Sequence, residues 1–286
     1  MPDRHSSRLV ASPLIEVYDV VCRAPRSGSG ALELTTVPQI AFARRGVFIV
    51  QTRGEPVVVD TNTALVFGLD EEYRVSHPTD GGDECTVLVL PPELLEEAFG
   101  SIEGRQVGVC ALDHLAVCLV TRALREPAAD QIDAEDAALL LLSPLSRAFA
   151  EGATDDGSRL GPTQRLRVEQ ARALLASSPA ERWDLCTLGR AVRCSPFHLA
   201  RQFRAATGET ISRYLLRLRL GAAVERLAEG ERDIAALAVD IGFAHHSHFS
   251  ARFRRAFGIT PTQARDMLTK RKLDELRAVL AGVPST

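Results

Sequence analysis

Two stretches near the C-terminal end decide how this chain folds: LCTLGRAVRCSPFHLARQFRAATG, residues 185–208, and IAALAVDIGFAHHSHFSARFRRAFG, residues 234–258. They are imperfect copies of one pattern. Leu185, Leu188 and Val192 keep step with Ile234, Leu237 and Ile241, and later Leu199 and Phe203 keep step with Phe249 and Phe253. Gly208 and Gly258 each stand five residues beyond the second member of that later pair, and the copies differ by one residue in the turn. Apolar residues at intervals of three and four predict a helix in each half. Each copy therefore reads as helix, short turn, helix, with Ser195 or Ser247 capping the second helix.

The second helix of each copy has two unlike faces. With Leu199 and Phe203 turned inward, a rotation of about 100° per residue points Phe197, Arg201 and Arg204 the other way. With Phe249 and Phe253 inward, Ser247, Ala251, Arg254 and Arg255 face outward and His248 lies on the flank. A short helix with an apolar back and an arginine-bearing front suits the major groove of DNA. One such helix could equally be the solvated side of an ordinary bundle; two in register favour DNA. Between the copies, Ile211, Leu215, Leu218 and Ala222 make Thr210–Glu229 one helix, stopped by Gly230. About 20 residues at 1.5 Å span roughly 30 Å, close to the roughly 34–36 Å of one DNA turn.

Charge is segregated in the same sense. Residues 163–271 hold 19 basic and 10 acidic side chains, a net of +9, while the remainder nets −12, for −3 over all 286 residues. Only the C-terminal part is suited to a polyanion. Arginine supplies 32 of the 34 basic residues; a GC-rich genome accounts for that ratio as readily as phosphate and guanine recognition does. It does not account for the segregation.

The rest of the chain reads differently. Ile15–Cys22, Ile40–Arg44, Val47–Thr52, Pro56–Asp60, Ala64–Leu69 and Thr86–Leu90 are short Val-, Ile-, Phe- and Thr-rich runs separated by turn signals such as SGSG (27–30) and TDGGD (79–83). They predict a small sandwich or barrel. Helical spacing follows at Leu112, Leu115, Leu119 and Ala123 and again over Ile132–Ala150, and EGATDDGSRLGPT (151–163) has the composition of a linker. The longest apolar runs, such as Val47–Val50 and Ala137–Leu142, fall far short of the roughly 18–20 residues of a membrane span. MPDRHSSRLV at the start lacks the apolar core of a signal peptide, and six cysteines without a CxxC pair do not form a disulfide framework. The expectation is a cytoplasmic protein with no membrane partner.

Residues 165–268 resemble the DNA-binding domain of AraC/XylS-type bacterial transcription regulators. The resemblance is carried by IAALAVDIGFAHHSHFSARFRRAFGITPTQAR (234–265), with Ile241-Gly242-Phe243, His248-Phe249-Ser250, Phe253-Arg254, Gly258, Thr260-Pro261 and Arg265, and by Ser195, His198-Leu199, Arg201, Phe203, Gly208 and Arg219-Leu220 in the first half. It implies seven helices in two helix-turn-helix units. It also implies that Phe197, Ala200 and Arg201, and in the second unit His246, Ser247, His248 and Ala251, approach base edges. Ser195, His198, Arg204, Arg254 and Arg255 complete the expected DNA-binding set. The chain departs from the pattern at Ala200 and Ala251, where an alanine reaches no further than a thymine methyl. The N-terminal strands are similar to the cupin-like effector domain often fused to such a domain.

The expected fold is thus two-domain α+β: a cupin-like effector-binding β-barrel (1–105), a helical pair with a dimerisation role (106–150), a linker (151–163) and an all-α double helix-turn-helix (164–271). The expected partners are double-stranded DNA, a small-molecule effector, RNA polymerase and a second copy of the chain. The expected function is regulation of transcription, as an activator or otherwise, without enzymatic activity. The alternative is a cupin-type metal-dependent enzyme fused to a DNA-binding domain. A cupin metal site ordinarily carries a His-x-His pair, and the strands offer only His77. His245, His246 and His248 sit at a helix entry and read as DNA contacts before metal ligands. Cys110, His114 and Cys118 repeat at four-residue spacing, but the outer pair lies roughly 12 Å apart along a helix, so one ion cannot take all three. Arg44, Arg45, Arg53 and Arg74 read either as ligands for an anionic effector or as solvated edge charges. Finally, Cys22, His77 and Cys85 would suit zinc or another thiophilic ion if the fold brings them together; as core residues they need no ligand. No cofactor is assigned from the sequence.

Overall fold

The computed structural model describes residues 4–99, 106–109, 111–125, 136–138, 141–142, 160–270 and 275. The expected second helical stretch (132–150), the linker (151–163) and Cys110 lie largely or wholly outside the described residues.

The strands are β1 (Arg4–Ala11), β2 (Glu16–Cys22), β3 (Leu32–Leu34), β4 (Gln39–Gly46), β5 (Phe48–Gln51), β6 (Val57–Val59), β7 (Thr63–Phe67), β8 (Glu72–Ser76), β9 (Asp83–Val89) and β10 (Gln106–Gly108). They form a six-stranded sheet in the order β1-β2-β9-β4-β7-β10 and a four-stranded sheet in the order β3-β8-β5-β6. The pairing is antiparallel within both. The expected barrel is therefore open: among the described residues no ladder joins the two sheets. Edge strands β3 and β6 are three residues long, too short to carry a seam.

Alternation along each strand explains why the larger sheet is buried on both faces. Ile40, Phe42, Ala64, Val66 and Leu88 point to one side, where helices cover them. Ala41, Ala43, Leu65, Phe67, Cys85 and Val87 point to the other, where Phe48, Val50, Val59 and Tyr73 of the smaller sheet meet them. The result is three layers: helices, six strands, four strands.

Helices α1 (Pro92–Phe99) and α2 (Ala111–Leu124) follow the strands. The C-terminal region holds α3 (Pro162–Ser177), α4 (Leu185–Ala191), α5 (Pro196–Thr207), α6 (Ile211–Ala228), α7 (Ile234–Asp240), α8 (His246–Phe257) and α9 (Pro261–Lys270). Leu115, Ala116 and Leu119 of α2 share one core with Leu220, Val224 and Leu227 of α6, Phe249 and Phe253 of α8, and Met267 and Leu268 of α9. The first helix-turn-helix has its own core, built from Val168, Leu175, Leu188, Leu199, Phe203, Tyr214 and Leu218.

Candidate nucleic-acid interface

The sequence repeat is also a repeat of caps. Asp184 accepts the Thr187 backbone N–H at 2.7 Å, and Asp233 accepts those of Ala235 and Ala236 at 3.0 and 2.9 Å, so α4 and α7 start alike. Thr210 and Thr260 cap α6 and α9 by accepting the N–H three residues on, at 3.3 and 3.2 Å. Helices α5 and α8 both end on a left-handed glycine, Gly208 at φ 74° and Gly258 at φ 73°.

The starts of these two helices differ. Ser195 caps α5 as expected, accepting the His198 N–H. Ser247 does not cap α8. That helix begins at His246, its N-cap is His245, and no side chain closes it. The turn of the second unit is one residue longer (241–245 against 192–195), so His245, not Ser247, stands where Ser195 stands.

The backs of both helices are sealed: Leu199, Phe203, Phe249 and Phe253 are fully buried. On the fronts, Ser195, Phe197, His198, Arg201 and Arg204 are exposed on or beside α5, with Ala200 half-buried. His246, Ser247, His248, Ala251, Arg254 and Arg255 are exposed on α8. Phe197 is 74% exposed, a large apolar ring left in water at the leading end of a helix. His248 is held in place, its Nε2 accepting from the Arg252 Nε–H at 3.2 Å and its ring lying edge-on to Phe243.

The arginines divide into two populations. Those behind the front faces are committed to protein partners. Arg172 donates to Tyr214, Glu169 and the Val58 carbonyl, Arg217 to Glu209, Arg219 to the Pro179 and Glu181 carbonyls, and Arg226 to Glu231. Among the described residues, Arg201, Arg204, Arg254 and Arg255 take part in no ion pair (N···O within 4.0 Å). Arg190 and Arg193, which the sequence reading passed over, are equally unpaired and exposed on the first unit. Arg193 also holds a left-handed backbone, φ 53°, at the turn position where the second unit has Gly242 at φ 90°. A non-glycine residue there costs roughly 1–2 kcal/mol, and such strain marks positions retained for another reason. The sequence signal was available: Gly242 aligns with Arg193 across the repeat.

The N-terminal layers grip this region through buried polar contacts. The Tyr214 hydroxyl donates to Asp60 and accepts from Arg172 Nε at 2.9 Å, while Asn62 Nδ2 donates to the Tyr214 carbonyl at 3.1 Å. Glu169 accepts the Val58 N–H at 2.7 Å, and Arg217 donates to the Val109 carbonyl. Burial, together with the nearby Asp60 carboxylate, pushes the Tyr214 hydroxyl well up. Further along, Cys118 donates to Glu225 at 2.9 Å and lies 3.5 Å from His114 Nε2. Burial holds His114 down to about 4, despite a hydrogen bond to the Gly221 backbone.

Three of the four strand arginines, Arg45, Arg53 and Arg74, are exposed as solvated charges, and Arg44 is buried. Arg44 is buried against Asp19 at 2.7 Å, Arg45 pairs with Glu229, Arg53 pairs with Glu72, and Arg74 donates to the Gly30 carbonyl. Cys22, His77 and Cys85 are all buried; the structure brings Cys22 and His77 together with Asp83 in place of Cys85, whose thiol instead donates to Asp83.

Residues 188–267 match the family model described as a helix-turn-helix domain. The chain is 33% identical over 244 residues to the HTH-type transcriptional activator RhaS of Salmonella arizonae, covering 79% of this chain and 84% of that protein. It belongs to the AraC-type family of transcription regulators. A putative AraC-like transcription regulator of Streptomyces antibioticus is 31% identical over 138 residues, 48% of this chain and 45% of the relative, so some curated relatives are matched over less than half their length. Among solved structures, ToxT of Vibrio cholerae aligns over 90% of this chain and 96% of its own at 16% identity and TM-score 0.35. An AraC-type regulator of Chromobacterium violaceum aligns over 38% of this chain at 26% identity and TM-score 0.36. The matched span 188–267 runs from within α4 through α5, α6, α7 and α8 into α9. Helix α6, which joins the two units, is 18 residues and about 27 Å long.

Proposed function

We propose that this chain is a sequence-specific DNA-binding regulator of transcription that places α5 and α8 in successive major grooves on one side of a duplex. The observation that carries the reading is the pairing of sealed aromatic backs with fronts whose arginines are unpaired. An arginine left without a carboxylate partner is available to phosphate or guanine at no cost of a broken ion pair. Arg201 reads a base, Phe197 meets a thymine methyl, and Arg190, Arg193, Arg204, Arg254 and Arg255 hold phosphates. His246, Ser247 and His248 present polar groups from the leading turn of α8, with Ser195, His198, Ala200 and Ala251 completing the contact surface. Ala251 stands where α5 has Arg201, so the first unit carries more of the specificity.

The strand layers form the effector-responsive domain (1–105), and the linker and DNA-binding boundaries lie at 151–163 and 164–271. The buried bonds from Asp60, Asn62 and Val58 to α3 and α6 give a ligand-dependent shift in the sheets a route to the helix joining the two units. A homodimer on paired sites, contact with RNA polymerase and a cytoplasmic location rest on the family membership; no described helix is long and apolar enough to cross a membrane. The similar proteins named above are transcription regulators, which supports the regulator reading over the enzyme one.

The test is selection of duplexes from a random pool by the full chain, followed by affinity measurements across salt concentrations. The reading expects an enriched sequence and a steep fall in affinity with salt. Recovery of unenriched sequences would refute it.

A further inference from the structure

A cluster within the strand layers has chemistry that the proposed DNA binding does not use. Cys22 ends β2, Asp83 and Cys85 open β9, and His77 follows β8. In the β2–β9 ladder Cys22 is paired with Asp83, and Val20 with Cys85. Side chains two apart share a face, so Cys22, Asp83 and Cys85 all point into the space between the sheets. His77 arrives from the opposite layer. Its Nε2 lies 2.7 Å from Asp83 Oδ1, while the Cys85 thiol donates to Asp83 Oδ2 at 3.0 Å. The donor atoms of Cys22, His77 and Asp83 all lie within 4.8 Å of one another.

The surroundings are built to hold this arrangement. Gly82, at φ 70°, lies so close to β2 that a Cβ would come within 1.9 Å of the Cys22 carbonyl oxygen, so only glycine lets the turn carry Asp83 onto Cys22. On the other side, the Ser27 backbone N–H donates to the His77 carbonyl and the Ser27 hydroxyl accepts the His77 N–H. The Arg26 backbone N–H donates to Asp80 Oδ1 at 2.8 Å, tying the same segment to the turn before Asp83.

We propose that Cys22, His77, Asp83 and Cys85 form a binding site for zinc or a similar thiophilic divalent ion. Two thiolates, an imidazole and a carboxylate are a set that zinc takes at about 2.0–2.3 Å in tetrahedral geometry, which puts neighbouring donors roughly 3.3–3.8 Å apart. Binding displaces the thiol protons, including the one Cys85 now gives to Asp83, to solvent. A disulfide is the other use for two buried cysteines. It is disfavoured because Cys22 and Cys85 are diagonal neighbours, a relation that places Cα atoms about 7–8 Å apart, beyond the usual disulfide range of about 4.4–6.8 Å. Cys22, His77 and Asp83 stand within reach of one ion, and Cys85, now bonded to Asp83, fills the fourth position by turning its thiol inward; with four protein donors the site is structural or regulatory. It ties the 77–83 turn to β2 across the end of the sandwich.

The test is metal analysis and zinc titration of the full chain against a chelator, with cobalt as a spectroscopic probe. Expected are one tightly bound zinc per chain and a cobalt form with thiolate-to-metal charge-transfer absorption. Cys22→Ser and Asp83→Asn should each weaken zinc binding by more than the roughly 10–100-fold that outer-sphere changes cost, while Cys118→Ser, in the separate His114–Cys118–Glu225 cluster, should change nothing. If a site variant does not fold, the cobalt spectrum of the unaltered chain still decides the matter. Absence of thiolate bands, or loss of metal on Cys118→Ser, overturns the proposal. DNA binding is not an arm of this test, so its failure leaves the proposed function standing.

Discussion

Removing a single oxygen should loosen the grip of the strand layers on the DNA-binding helices. In Tyr214→Phe the ring keeps its edge contact with Phe203, at 5.2 Å between centroids, so packing is conserved. What goes is a hydroxyl that donates to the Asp60 carboxylate and accepts from Arg172 Nε. Hydrogen bonds to charged groups are worth about 1.5–3 kcal/mol each, so two would sum to about 3–6 kcal/mol if independent. They are not independent, since one oxygen serves both. Asp60 also keeps the Asn62 N–H at 2.9 Å, and Arg172 keeps Glu169 at 2.7 Å and the Val58 carbonyl at 2.7 Å. The expected loss is therefore about 2–4 kcal/mol. Urea unfolding followed by fluorescence and circular dichroism measures it, and the denaturant slope should not change. Tyr18→Phe, which removes a hydroxyl bonded to Glu16 on the half-buried sheet surface, is the control, expected within about 0.5 kcal/mol of the unaltered chain. If Tyr214→Phe also stays within about 0.5 kcal/mol, the Asp60–Tyr214–Arg172 contact does not hold the layers together.

Three other perturbations separate the roles assigned above. Arg201→Ala should cost about 1–3 kcal/mol of DNA affinity, roughly 5- to 150-fold, and relax preference at one base pair; a uniform loss over all sequences would reassign Arg201 to phosphate. Arg193→Gly relieves a left-handed backbone, so stability should rise by about 1 kcal/mol while DNA affinity falls and the salt slope shrinks by about one; unchanged affinity would remove Arg193 from the interface. His114 is held down to about 4 in the folded chain by burial, below the ordinary histidine value near 6.5. The unfolded chain therefore takes up that proton first, and the stabilisation is complete above about pH 6.5 and lost as pH falls towards 4. Between about pH 7.5 and 5 His114 should account for about 2 kcal/mol of acid sensitivity, read as the difference between the unaltered chain and His114→Gln; equal pH profiles would contradict it.

The helices were legible because period and cap agree. Ile211, Leu215 and Leu218 with Thr210 ahead of them place α6 to within a residue, and Phe249 and Phe253 fix which face of α8 meets water. Strands buried on both faces, such as Gln39–Gly46 and Thr63–Phe67, announce themselves as apolar runs. Arg4–Ala11 and Glu72–Ser76 do not: they are edge or outer strands with charged, exposed positions, so only their pairing partners make them strands. The three-residue strands Leu32–Leu34 and Gln106–Gly108 are shorter than any local pattern can declare.

The candidate site was legible in outline and overstated in charge. Counting arginines assigns Arg172 to the polyanion, yet it is buried against Val58, 114 positions earlier in the chain. No local pattern reveals a partner at that distance. The same limit hid Asp83, whose place between His77 and Cys85 depends on the register of β2 with β9. Parity along β9 was the available signal, since residues 83 and 85 share a face.

The central claim is that α5 and α8 enter successive major grooves on one face of the duplex. Hydroxyl-radical footprinting of the full chain on its selected site, with methylation interference at guanine, tests it directly. The account predicts two guanine- or thymine-bearing contact segments centred about 10 base pairs apart on the same face, the stronger one weakened by Arg201→Ala. A single protected segment, or two segments on opposite faces, would contradict it.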